Sequence, residues 1–351
     1  MKLGFGLMRL PIIGEDRANI DIERFKTMAD SFIAKGGTYF DTAYPYHNGK
    51  SEEAFREAVV KRYDRSAYIL ANKMPMFFVK TEEDLPKFFD EQIRRCGVDY
   101  FDYYLLHCLD DETYDIAKST DAFEYVQNKK AEGKVKRVGF SFHGSPELLD
   151  EILTEHPEME FVQLQINYLD WEDKEVESRR CYEVARKYGK PIIVMEPIKG
   201  GKLASVPKGA EKELGSVSPA AFALGFAASL EGVFTVLSGM STEEQMEQNL
   251  ALFGSLKVFE SDDYKKAQAL AEIIRKSLQI PCTACEYCVP ECPKKIQIPK
   301  LFSMYNEKDY GEYGTLDKKA SDCIKCGACE KMCPQHIEIR TYLEKIAKKN
   351  A

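Results

Sequence analysis

The sequence predicts an α/β fold: a (β/α)8 TIM barrel followed by a small, mainly helical, cysteine-rich domain. Three observations carry the prediction. Eight short apolar runs each precede a segment of helical periodicity, the layout of a closed parallel barrel. Ionisable residues fall where several of these runs end, the face on which such barrels keep their chemistry. After residue 280 the chain changes character, and eight of its 11 cysteines crowd into two short runs.

At 351 residues the chain is longer than one typical domain, whereas a barrel takes roughly 250. Its hydrophobic fraction of 44% and charged fraction of 30% are those of a water-soluble globular protein. No apolar run reaches the ~18 residues of a membrane span, and no signal-peptide core precedes the first strand, so a cytoplasmic location is expected. A net charge of −8 argues against a nucleic-acid surface. Residues 282–351 hold 12 Lys/Arg against 10 Asp/Glu, a balance of +2 that leaves −10 on the rest.

The elements follow in order. Residues 3–10 (LGFGLMRL) read as a strand, and 23–34 as a helix stopped by Gly36-Gly37. The second strand lies within 38–46 (TYFDTAYPY), whose β-branched and aromatic run leads into Asp41. A Pro-interrupted turn then presents Tyr44 and Tyr46. A helix over 51–61 precedes the third strand, 66–73 (SAYILANK), which ends at Lys73. A helix over 82–96 stops at Gly97, and the fourth strand, 100–107 (YFDYYLLH), ends at His107. Further units are a helix over 121–131, a strand over 135–142 (VKRVGFSF) and a helix over 146–154. Strand 161–167 (FVQLQIN) precedes a helix over 173–188, and strand 191–197 (PIIVMEP) precedes an Ala-rich helix over 219–230 with Pro in its first turn. Strand 234–239 (FTVLSG) and a helix over 242–253 close the cycle, and a helix over 262–277 links onward. A doubly wound sheet is the rival architecture. Gly4-Phe5-Gly6 lacks the third glycine of a dinucleotide fingerprint, and no phosphate loop occurs.

Cys282, Cys285, Cys288 and Cys292-Pro293 form one C-x2-C-x2-C-x3-C-P run; Cys323, Cys326, Cys329 and Cys333-Pro334 form another. This spacing holds [4Fe–4S] clusters in bacterial-type ferredoxins, with the fourth Cys of each run ligating the other cluster. The expected sets are Cys282, Cys285, Cys288 and Cys333, and Cys323, Cys326, Cys329 and Cys292. Structural zinc normally takes paired C-x2-C units, and disulfides are disfavoured in the cytosol. The long interval between the runs, with a helical stretch at 299–305, resembles ferredoxin-like modules fused to larger redox enzymes. Cys96, Cys108 and Cys181 are isolated and read as buried packing residues.

Asp41, Tyr46, Lys73 and His107, in this order at three strand ends, resemble the catalytic tetrad of the aldo-keto reductase superfamily. The resemblance makes Tyr46, five residues after the Asp, the acid rather than Tyr44. A phenol with pKa near 10 is a weak acid unless a cation stabilises its anion, so Lys73 is expected to supply that charge. Asp41 would hold Lys73, and His107 would donate to the substrate oxygen. His47, His143 and Trp171 are further candidates near substrate. By the same resemblance Ser141 and Gln163 bind the nicotinamide amide, although Phe142 stands where the family usually has Asn. Met195 covers the ring where many members use Tyr. Gly239, Ser241, Gln245 and Asn249 match the adenosine-side motif, with Lys199 or Lys202 available to the pyrophosphate. Residues 239–249 hold no cation and three glutamates (Glu243, Glu244, Glu247), so no strong preference for NADPH over NADH is expected.

The expectation is therefore a barrel over 1–275 and a ferredoxin-like domain with two [4Fe–4S] clusters over 276–351. Together they imply an NAD(P)-dependent aldo-keto reductase acting on a small carbonyl or alcohol, its clusters serving single-electron transfer, with a redox partner protein, or redox sensing. The alternative is a non-catalytic or electron-transfer protein whose barrel binds nicotinamide or docks that partner.

Overall fold

The computed structural model describes residues 1–207 and 210–350. Eight parallel strands close in chain order: β1 (Leu3–Gly6), β2 (Tyr39–Asp41), β3 (Ile69–Met74), β4 (Phe101–Leu109), β5 (Val135–Phe142), β6 (Phe161–Gln165), β7 (Ile192–Met195) and β8 (Val233–Gly239), which pairs back onto β1.

Side chains on a strand alternate between faces, and the two sets have different duties here. The outward set, including Phe5, Phe40, Leu70, Tyr104, Phe140 and Val162, packs under the helices in one large core. The inward set makes a separate plug of Tyr39, Ala71, Leu105, Phe161, Ile193 and Leu237, with Ile69, Tyr103 and Phe234 against it. Two residues further along the same strands, on the same inner face, come Asp41, Lys73, His107, Gln163, Met195 and Gly239. The site is thus the next layer above a closed hydrophobic floor.

The helix Ile22–Ala34 illustrates the outer ring. Asp21 caps it by accepting from the Arg24 amide at 3.0 Å. Phe25, Met28, Ala29 and Phe32 bury one stripe against Phe5 and Phe40. Each such ring is worth roughly 1.5–3 kcal/mol of burial.

Three details depart from the sequence reading. The first strand stops at Gly6, and Leu7–Arg9 turns into a 3-10 helix. The expected helix over 51–61 is α-helical only over Ser51–Phe55, then widens to a π-helical turn over Arg56–Val60. A helix over Asp111–Ser119 goes unforeseen because its apolar stripe is thin; a capping box between Asp110 and Thr113 starts it.

Residues from 280 onward build their own core from Ile280, Ile296, Leu301, Phe302, Ile337, Leu343 and Ile346, together with Cys288, Cys292 and Cys329. The helices Cys288–Glu291, Ile298–Glu307, Ala328–Lys331 and Ile339–Lys349 frame it. The helix Ser261–Ser277 instead buries Ala267, Leu270, Ala271 and Ile274 in the barrel's outer core. Among the described residues no helix is long and apolar enough to cross a membrane.

Candidate active site

β2, β3 and β4 bring Asp41, Lys73 and His107 to the inner rim, and the turn after β2 swings Tyr46 over them. Lys73 is 0% and Asp41 2% exposed. Lys73 Nζ donates to Asp41 Oδ1 at 2.5 Å and to the Thr42 carbonyl at 2.8 Å, and it lies 3.5 Å from the Tyr46 hydroxyl. Burial pushes the Lys73 ammonium down and the Asp41 carboxyl up, each opposed by the other's charge. His107 packs edge-on to Tyr46 with ring centres 6.2 Å apart. Burial, then the Lys73 charge, holds its imidazole well below the usual histidine range, so it is neutral near pH 7 and carries one N–H.

The Tyr46 phenol departs from expectation. Burial first, then the Asp41 charge, raises it well above its ordinary value, while a side-chain hydrogen bond from Tyr287 pulls the other way. Burial and the Asp41 charge outweigh the Lys73 ammonium, whose Nζ stands 3.5 Å from the phenol oxygen. Tyr46 therefore keeps its proton near neutrality, the state a proton donor requires.

These side chains face a cavity with about 810 Å³ of empty space, its opening included. Gln163, Met195 and Gly239 line it, as do Met8, Arg9, His143 and Glu196. Gln163 Nε2 lies 3.4 Å from Met195 Sδ. Gln163 Oε1, His107 Nδ1 and Asp41 Oδ2 are buried without a hydrogen-bond partner among the described residues. Buried polar atoms are rarely left so, and an amide-bearing ring set between Gln163 and Met195 would satisfy the first. In that respect the residues fit a nicotinamide.

The other expected contacts lie off the cavity wall. Ser141 Oγ accepts from the Cys108 amide at 2.7 Å. Ser241 Oγ donates to the Arg9 carbonyl at 2.8 Å, and the Ser241 amide donates to Gln245 Oε1 at 2.8 Å. Asn249 Nδ2 donates to Ser238 Oγ at 3.0 Å. Lys199 is not free for a pyrophosphate, since Asp170 at 2.6 Å and Gln335 at 3.2 Å hold its ammonium in a buried pocket. Two of the three glutamates counted as repelling a phosphate are also engaged: Glu243 pairs with Arg24, and Glu247 with Lys35. Both cations come from the first helix, which sequence proximity hides. His47 accepts from the Leu10 amide at 3.0 Å and bonds the Arg17 carbonyl at 2.8 Å, so its ring nitrogens serve the loop fold. His143 does line the cavity; burial, then the neighbouring His336, takes its imidazole down to about 4. Trp171 packs on Tyr182 and Phe226, away from this cavity.

The cysteine-rich domain covers the barrel mouth. Arg9 Nη2 donates to the Thr283 carbonyl at 2.6 Å, and Arg17 donates to the Ala284 carbonyl at 3.2 Å and pairs with Glu286 at 2.8 Å. Gln165 and Gln335 exchange amide hydrogen bonds of 3.0 and 2.7 Å. His336 Nε2 bonds the His143 carbonyl at 3.0 Å. Gly200, at φ 61°, sits where a Cβ would meet the Thr283 carbonyl at 2.2 Å, so only glycine allows this seating. Thr283, Cys285, Tyr287, Pro334 and Gln335 consequently form part of the cavity wall.

Cys282, Cys285 and Cys288 lie within electrostatic range of Cys333. Cys329 lies near Cys323 and Cys292. Cys333 thus approaches the first run and Cys292 the second, while Cys288 also lies near Cys329. Cys326 is exposed. Burial raises the Cys285 thiol to about 12 and the Cys329 thiol to about 11. Thiols crowded and buried in this way become thiolates once a cationic centre binds them, so the donor set fits an iron–sulfur group. Among the described residues no three His, Cys, Asp or Glu side chains converge tightly enough for a single metal ion.

Sequence reading missed Arg9, Glu196 and Tyr287. Arg9 lies across Gly239, where a Cβ would meet its side chain at 3.1 Å, and its charge opposes the burial that raises the Glu196 carboxyl. The Pro after Glu196 signals a loop but not its aim, and nothing within the cysteine run announces that Tyr287 reaches the barrel.

Comparison with known proteins agrees with this geometry. Residues 2–272 match the aldo/keto reductase family, and residues 281–338 match the 4Fe-4S dicluster domain. Among solved structures, an aldo-keto reductase from Bacillus halodurans in its holo form is 22% identical with a TM-score of 0.61, covering 77% of this chain and 91% of that one. One from Klebsiella pneumoniae, solved in complex with NADPH, is 18% identical with a TM-score of 0.60, covering 77% and 90%. At these identities the likeness carries the fold. The alpha 1 subunit of the acetyl-CoA decarbonylase/synthase complex of Methanosarcina barkeri is 35% identical over 68 residues, 19% of this chain and 8% of that protein. This chain therefore spans under a tenth of that relative.

Proposed function

Since the chain belongs to the aldo/keto reductase family, we propose that it is a nicotinamide-dependent oxidoreductase that interconverts a small carbonyl compound and its alcohol. The observation that carries this reading is the meeting of Asp41, Tyr46, Lys73 and His107 at one rim of the barrel, beside a cavity lined by Asp41, Tyr46, His107 and Gln163, whose amide oxygen is buried and unpaired among the described residues. NADH or NADPH, when bound, supplies the hydride or receives it. The chain's own residues do the rest. The His107 N–H orients the carbonyl oxygen. Tyr46 Oη gives that oxygen its proton, and Lys73 Nζ, 3.5 Å away, steadies the phenolate left behind. Asp41 keeps Lys73 charged in a site where burial favours the neutral amine. The Tyr287 side chain and the Thr283–Cys285 loop narrow the mouth and exclude water.

The chain divides into a barrel over 1–275 and a ferredoxin-like domain over 276–351. The latter holds two [4Fe–4S] clusters, one on Cys282, Cys285, Cys288 and Cys333, the other on Cys323, Cys326, Cys329 and Cys292. Such clusters take up and release single electrons. The seating of the first cluster's loop on the barrel mouth supports a redox-sensing or single-electron role for that cluster, with a redox protein as outside partner.

Tyr46→Phe tests the enzyme reading against that of a barrel that merely binds nicotinamide. Turnover of an accepted carbonyl is expected to fall at least ~100-fold while nicotinamide binding persists. Undiminished turnover would remove Tyr46 from the reaction.

A further inference from the structure

Two cavities meet at Tyr287. One is lined by Gln163, Met195 and Gly239; the other has about 510 Å³ of empty space and is lined by Met8, Pro45, Phe77 and Phe78. Met8, Tyr46, Cys285 and Tyr287 belong to both walls. Tyr287 comes from the cysteine-rich domain, between Cys285 and Cys288. Its ring lies 6.1 Å from that of Phe77 and 6.4 Å, edge-on, from that of His107, the same imidazole that Tyr46 meets edge-on at 6.2 Å, and its hydroxyl faces the Tyr46 phenol. The stretch around it is fastened to the barrel residue by residue: Thr283 by Arg9, and Ala284 and Glu286 by Arg17. Cys108, which follows His107 on β4, lies within electrostatic range of Cys285 and Cys333. The loop that carries the first cluster's thiols is therefore also the lid of the barrel site, and one hydroxyl pair joins them.

Resting on the reading of Tyr46 as the acid, the geometry points to Tyr287 as a positioning residue that couples the two halves: it fixes the Tyr46 hydroxyl for proton delivery and transmits the state of the barrel site to the first cluster. The physical basis is short-range. Hydrogen bonds and dipoles beside the ligating sulfurs tune a cluster's reduction potential, and Tyr287 is one residue from Cys288. Removing the Tyr46 oxygen frees the Tyr287 hydroxyl to turn, which changes the field at the thiolates. A tyrosine that only filled the mouth would transmit nothing, and phenylalanine would serve as well.

The test uses the full chain with its clusters assembled anaerobically. The set is wild type, Tyr46→Phe, Tyr287→Phe and the double variant, each checked for iron and sulfide. EPR-monitored redox titration is expected to show Tyr46→Phe moving one cluster's reduction equilibrium at least twofold, about 18 mV at 59 mV per tenfold for one electron, and leaving the other cluster in place. In the Tyr287→Phe background the same substitution is expected to move neither. With an accepted carbonyl, Tyr287→Phe should lower kcat about tenfold and change KM less than twofold. A Tyr46→Phe shift that is absent, or the same with and without the Tyr287 hydroxyl, overturns the coupling. Wild-type kcat in Tyr287→Phe beside an inactive Tyr46→Phe overturns the positioning and leaves the carbonyl-reductase reading standing. Full activity in Tyr46→Phe instead refutes that reading, and the titration still decides the coupling. Should Tyr287→Phe fail to hold its iron, an unmoved potential in Tyr46→Phe overturns the coupling and a moved one supports it.

Discussion

Lys73→Met isolates the charge balance beneath the candidate site. The two side chains are 0% and 2% exposed, 2.5 Å apart, and Asp41 Oδ2 has no other partner among the described residues. Removing the cation leaves a buried carboxylate uncompensated, which typically costs about 3–5 kcal/mol, while replacing both members by neutral side chains costs far less. For a barrel of about 270 residues, an unfolding entropy of ~2.1 cal/mol/K per residue gives roughly 0.6 kcal/mol per degree, so the single variant should melt about 5–9 °C lower. The loss has a pH signature. Burial already raises the Asp41 carboxyl in the intact protein, and without Lys73 nothing opposes it. A carboxyl whose folded pKa lies above its unfolded one gives stability at low pH that is lost as pH rises through the folded value. The Tm deficit of Lys73→Met should therefore shrink as the buffer goes from pH 8 to pH 5, by no more than ~1.4 kcal/mol per pH unit. Asp41→Asn combined with Lys73→Met should recover most of the deficit and lose the pH dependence. Scanning calorimetry of the three variants at both pH values measures this. A pH-independent deficit in the single variant, with no recovery in the double, would show that the pair is not the linked unit described here.

Other outcomes follow from named contacts. Gln163→Leu removes the unpaired amide that faces the cavity, and nicotinamide should bind roughly tenfold more weakly by titration calorimetry with Tm changed little. Gly200→Ala sets a Cβ 2.2 Å from the Thr283 carbonyl at a positive φ, so the cysteine-rich loop should lift and its clusters should bleach several-fold faster under a chelator. On the proposed assignment, in which the fourth cysteine of each run serves the other cluster, Cys282→Ser and Cys333→Ser should abolish the same EPR signal and Cys292→Ser the other. The Kd ratio of NADH to NADPH at one salt concentration should stay under tenfold, since Arg24 and Lys35, which face residues 243–247, already serve Glu243 and Glu247.

What could be read from the chain divides along a physical line. Local periodicity carries the barrel. Each inward residue of the floor predicts the one two places on, so Asp41, Lys73, His107 and Gln163 were legible at strand ends that the sequence locates within a few residues. The cysteine spacing carries the dicluster domain, which the family match over residues 281–338 bears out. Neither signal extends to contacts made across the fold. Lys199 looked free because Asp170 and Gln335, which bind it, stand 29 and 136 residues away. The glutamates of 243–247 looked repulsive because Arg24 and Lys35 are more than 200 residues distant in the chain.

The same limit explains the phenol. Sequence supplies a lysine to lower the Tyr46 pKa, yet depth and pairing decide the outcome, and burial raises it. Lys73 Nζ, 3.5 Å from Tyr46 Oη, offsets part of that cost as negative charge develops there, in a medium that screens weakly. Burial and the Asp41 charge still outweigh it, so the phenol holds its proton until a substrate oxygen takes it. The lid that Thr283, Cys285 and Tyr287 place over the mouth keeps that balance out of water, where the Lys73 contribution would be screened away.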